Sequence, residues 1–220
     1  MAVTLLLVGL SGLLALRDAG SPASAPGELR GYFDVFGEGN LPSWWAASVL
    51  LVGALTCGAV AALSGRGGKR LRWAVLTVLV LLLSIDEATV LHERLDRFVL
   101  PFLSPEGFPY LWVVPGAVLG TGVVLCAVWA SWSAPPPARG LLVAGLVLLL
   151  GSAVGGELVQ GWLVLQGRMD WPFVLTYHVE EAGEPLGALA FAAGAGNMLS
   201  VRRQATGILI GVRGGRVATP

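Results

Sequence analysis

The residues best suited to chemistry lie in one short stretch, Thr176 to Pro185 (TYHVEEAGEP). There a histidine and three glutamates interrupt an otherwise apolar run from Phe173 to Val201. In a bilayer such groups are costly, about 2.5 to 3.5 kcal/mol for a charged side chain near the centre, so they usually face a bundle interior, pair, or do chemistry. At about 100° per residue, Glu180, Glu184, Tyr177, Glu181 and His178 fall in that order within an arc of about 160°. Val179, Ala182, Gly183 and Leu186 form the other side. Pro185 has no N–H to give the carbonyl of Glu181, so a kink and a free backbone acceptor are expected beside the acids.

Two further segments carry acids inside apolar runs. In SIDEATVLHERLD, Asp86, Thr89 and Glu93 share one helix face, Glu87 and Arg94 share another and could pair, and His92 belongs to neither. In GSAVGGELVQGW, Gly151, Ser152, Gly155 and Gly156 stand at small-xxx-small spacing, followed by Glu157 with Gln160 and Gly161. Depth relates the three segments. Glu157 and Glu181 each lie about eight residues, roughly 12 Å, below the outer ends of their runs, and Asp86 lies roughly 14 Å below the same surface. The expectation is one polar site built by three helices and reached from the extracytoplasmic side.

Several carboxylates in a small low-dielectric space cannot all stay ionised; they must be protonated, paired, or neutralised by a cation. His178 and Glu181 at i, i+3, with Glu157, Asp86 and His92, suit a divalent metal such as Zn, Fe or Mn. Carboxylates alone would suit Ca or Mg. A metal with an open position could activate a water, with Glu184 or Glu180 as general base. Glu87, Glu93 and Tyr177 complete the polar set. No HExxH, no repeated ExxH and no cysteine-based site occurs. Ser84-x-Asp86 with distant histidines resembles in part the alkaline ceramidase-like membrane hydrolases, which combine a Ser, an Asp and three His. This chain has two His and no HxxxH, so no residue role is carried over.

The elements that must position these residues follow from composition. At 220 residues, 55% hydrophobic and 13% charged, the chain reads as an all-α integral membrane protein. Apolar runs at about 2–16, 41–63, 73–95, 112–132, 141–165 and 173–200 predict a single domain of six transmembrane helices over 1–204, followed by a tail at 205–220. Arg66, Lys69, Arg70, Arg72, Arg139, Arg202, Arg203, Arg213 and Arg216 make nine basic residues on one side, against Arg17, Arg30, Arg94, Arg97 and Arg168 on the other. That bias places both termini and the tail in the cytoplasm of a bacterial-type inner membrane, the plasma membrane of the cell. Residues 1–25 are expected to be a retained first span, although Ala23-Ser24-Ala25 resembles a signal peptidase site. Tyr32, Phe33 and Phe36 suggest an interfacial segment, Trp44 and Trp45 anchor the second span, and Asp34 and Glu38 are expected over the outer mouth. Cys57 and Cys126 are mid-membrane and read as packing residues.

Three functions are open at this level. One is a metal-dependent membrane hydrolase or oxidoreductase acting on a lipid, isoprenoid or quinone-like substrate at the outer leaflet. Another is a proton- or cation-coupled carrier or channel component, with Gly183 and Pro185 as a broken-helix element. The third is a non-catalytic subunit of a membrane complex. Lipids, and a homo- or hetero-oligomer, are the expected partners; nothing suggests nucleic acid.

Overall fold

The computed structural model describes residues 1–17, 27–102, 107–132, 134–204 and 207–213, and it is mostly helical. Its helices are α1 (Ala2–Arg17), α2 (Glu28–Phe33), α3 (Leu41–Leu63), α4 (Gly68–Thr89), α5 (Asp96–Val99), α6 (Val113–Ser131), α7 (Pro136–Leu165) and α8 (Trp171–Gly196). A single 3-10 turn, His92–Leu95, joins α4 to α5, and a hairpin of β1 (Leu199–Gln204) and β2 (Gly207–Val212) follows α8. Helices α3, α6 and α7 are long and apolar enough to cross a membrane, and a fourth span results if α4 and the bent segment His92–Val99 are counted together. Helix α1, at 16 residues, is shorter, and α8 carries three glutamates along its length.

Starts and stops have local causes. Asn40 caps α3 by accepting from the Ser43 N–H, with Pro42 in the first turn, where a missing N–H costs nothing. Pro136 opens α7 in the same way. Helix α8 continues as one helix through Pro185, so the proline does not end it.

Close packing of α7 on α8 is the main architectural joint, and glycines make it possible. A Cβ on Gly145 would lie 2.5 Å from the Phe191 nitrogen, and one on Gly187 would lie 2.5 Å from the Leu149 nitrogen. The backbones therefore touch where neither residue has a side chain. Around this joint a core of Leu50, Ala54 and Cys57 from α3, Trp73, Leu76 and Val80 from α4, Leu142 and Leu146 from α7, and Ala188 and Phe191 from α8 is buried. Gly156 lies against Glu180 and Ser152 against Gly183, whereas Gly151 and Gly155 meet no neighbouring element. Of the four small residues expected at this spacing, Ser152 and Gly156 meet α8, together with Gly145, and Gly151 and Gly155 do not.

Three expectations change. The third run does not stay helical to residue 95: α4 stops at Thr89, Val90 takes the left-handed conformation (φ 54°), and the chain turns by 91°. The sixth run is helical only to Gly196, and its last two residues, Leu199 and Ser200, with part of the expected tail, belong to the β1–β2 hairpin. Trp45 is half-buried rather than free at the helix surface: its Nε1 donates to Thr4 Oγ1 at 3.1 Å, while Trp44 is exposed. The Ala23–Ala25 segment and residues 214–220 lie outside the described residues.

Candidate functional site, an acid-lined cavity

A cavity of about 780 Å³ lies among α4, α6, α7 and α8 and is bordered by the loop before α3. Eight acidic residues line it: Glu38, Asp86, Glu87, Glu93, Glu157, Glu180, Glu181 and Glu184. His92, Gln160, Tyr110, Trp112 and Tyr177 complete its polar part, and no Lys or Arg is among the lining residues. The remainder is apolar, including Leu79, Leu82, Leu83, Leu119, Val123, Cys126, Leu150 and Val154. The acids of three helices that depth alone related do line one chamber.

Each acid reaches it by a different route. Glu180 is buried between α8 and α7, over Gly156, and accepts a hydrogen bond from Gln160 Nε2. Glu181 and Glu184, one turn apart, are partly accessible to the chamber. Glu157 keeps one buried oxygen, Oε2, without a hydrogen-bond partner among the described residues. Asp86 is committed: Oδ1 accepts the His92 backbone N–H at 2.7 Å, and Oδ2 lies 3.0 Å from His92 Nδ1. These two bonds tie off the chain just after the strained Val90 and explain how the helix end is held. The His92 ring lies against Trp112, with centroids 4.5 Å apart. Among the described residues Glu87 makes no ion pair with Arg94; it faces the chamber.

Outside the spans, partial desolvation at the chamber mouth raises the Glu38 carboxyl above the usual range. His92 opposes this, while Glu93 and Asp86 add to it. Burial pushes the Tyr110 hydroxyl up to about 12, with Glu157 and Glu180 adding. Glu38 therefore stands at the mouth as expected, and Asp34 does not. Asp34 is buried beside Arg30, 3.5 Å from its Nε.

His178 is the clearest departure. Its Nδ1 lies 2.8 Å from the Val174 carbonyl, its ring stacks on Tyr177, and its Nε2 points toward Gly12 of α1. It does not line the chamber with Glu181. On the helical wheel it stands at the far edge of the polar arc from Glu180, and α1 occupies that side. With His178 turned away and His92 held by Asp86, no group of three or more His, Cys, Asp or Glu among the described residues is placed to hold a metal ion. The expected Zn, Fe or Mn set is therefore not assembled among the described residues. Sequence reasoning missed Gln160 as the partner of Glu180, and missed Trp112 and Tyr110; the i, i+3 spacing of Glu157 and Gln160 was the available signal.

These features define a helical protein with apolar helices of membrane-spanning length and an acid-lined internal chamber. The chain belongs to the family described as Domain of unknown function (DUF8692), whose model matches residues 1–196. No curated protein and no solved structure matches it.

Proposed function

We propose that this is a six-span protein of the plasma membrane, with both termini cytoplasmic, whose chamber takes up an amphiphile of lipid, isoprenoid or quinone-like class from the extracytoplasmic side. The carrying observation is the two-part lining: eight acids without Lys or Arg at one end, and leucine and valine walls at the other. The polar end of the amphiphile sits among carboxyl groups and its apolar part lies along α4, α6 and α7. Glu184 and Glu180 exchange protons with the polar end, and Asp86 orients His92 in the chamber wall.

Aromatic and basic residues support the membrane embedding. Arg72 lies 5.3 Å from the Trp129 ring and Arg139 lies 5.6 Å from the Trp132 ring, at one end of the bundle. Trp44, Trp162 and Trp171 are exposed at the opposite helix ends. Two such belts suit two headgroup layers.

Native mass spectrometry of the detergent-extracted protein tests the reading. Discrete amphiphile adducts are expected on the parent and lost from Ala153→Trp, which fills the chamber wall. Bare protein in both samples contradicts it. A second reading, a proton- or cation-coupled carrier or channel component, is favoured by the lack of any Lys or Arg among the described residues that line the chamber, which leaves the acids' charge to protons or a solvent cation. Cation or proton flux in liposomes, lost in Glu180→Gln/Glu181→Gln, would select that alternative.

A further inference from the structure

We propose that the β1–β2 hairpin is a membrane-docking element that lies on the anionic headgroups of the leaflet at the basic end of the bundle. The inference rests on the membrane embedding proposed above, and not on the chamber. In the antiparallel register Leu199 pairs with Val212, Val201 with Ile210 and Arg203 with Ile208. Directly opposed residues share a face, so these six side chains form one stripe. Leu199 and Val212 at its root pack against the buried core, and the Arg213 N–H donates to the Met198 carbonyl to close the base.

That root fixes the direction of the stripe. The face that meets the end of the helix bundle at Leu199 and Val212 continues past it with Val201, Ile210 and Ile208. These three are 65%, 52% and 66% exposed. What lies beside a bundle end in a membrane protein is the headgroup layer. A lone two-stranded hairpin is marginal in water, and a lipid surface supplies the missing apolar contact. Charge completes the match. Arg202, Arg203 and Arg213 are all exposed, and the described hairpin carries no acid. Arg203 stands on the apolar stripe itself, Arg202 on the other face of the same hairpin and Arg213 at its base, so the cations surround the stripe; this suits an anionic leaflet, and the attraction is screened by salt.

The test uses the full chain in vesicles of phosphatidylcholine, with or without phosphatidylglycerol. An environment-sensitive fluorophore is attached to Ile210→Cys or, on the opposite face, Leu209→Cys, both in a Cys126→Ala background; Cys57 is fully buried. With phosphatidylglycerol, a nitroxide lipid should quench the label at 210 several-fold more than the label at 209. That contrast should be lost at high salt and in Arg202→Gln/Arg203→Gln. Equal quenching at both positions, or the same contrast in phosphatidylcholine alone, would overturn the inference. So would a label at 210 that is shielded but unquenched, which indicates a second copy or another protein. Vesicle flotation is read in parallel: protein that fails to float removes the embedding and this inference together, whereas floating protein with an unquenched 210 label removes this inference alone.

Discussion

Carboxyl groups in this molecule differ by what faces them. Asp34 has Arg30, Asp86 has His92 and Glu180 has Gln160. Glu87, Glu181 and Glu184 make no hydrogen bond within the described residues and face the chamber. Glu38 gives a direct check of the chamber's electrostatics because it stands at the mouth, outside the spans. Its carboxyl is raised in the fold, so the fold favours the protonated form. The stability linked to it is therefore complete below the ordinary carboxylate value of about 4.3 and is lost as pH rises through the raised value. Glu38→Gln should flatten that part of the profile and be less sensitive than the parent between about pH 4 and neutrality. Thermal unfolding in detergent at stepped pH reads this directly; identical slopes would place Glu38 in bulk solvent.

Among the elements, α3, α6 and α7 were legible because apolar length alone specifies them, and α3 runs from Leu41 to Leu63 as the hydropathy indicates. The end of α4 was not legible. It depends on Val90 adopting a left-handed conformation, which a β-branched residue disfavours, held by Asp86 reaching forward to His92. The acids of α8 line the chamber together, as their angles on the wheel indicate, but a wheel gives angular neighbours and not which helix occupies each side, and His178 lies against α1. The hairpin was hidden because LSVRRQ follows directly on an apolar helix, although Gly207 (φ 148°) opens a β-prone GILIGV. The α7–α8 joint yields an element-scale prediction. Gly187→Leu should force the helices apart and cost about 2 kcal/mol or more, as overpacking against backbone does. Gly151→Leu, where a Cβ meets nothing within 4 Å, should be near neutral. Comparing the melting temperatures of the two variants in detergent checks it; equal losses would refute the joint.

For the whole molecule, charge and polarity run along the bundle axis. Acids gather in the chamber toward one end, while the other carries Arg72, Arg139 and the hairpin arginines. The account's central claim is that carboxyl groups from α4, α7 and α8 share a chamber that an apolar molecule can enter. Labelling the membrane-embedded protein with dicyclohexylcarbodiimide, an apolar reagent that attacks protonated carboxyls, and mapping the adducts by peptide mass spectrometry tests this most directly. The account predicts adducts on Glu181 and Glu184, strongly reduced in Ala153→Trp. Adducts confined to acids outside the chamber such as Glu28 and Asp170, with no effect of Ala153→Trp, would contradict it.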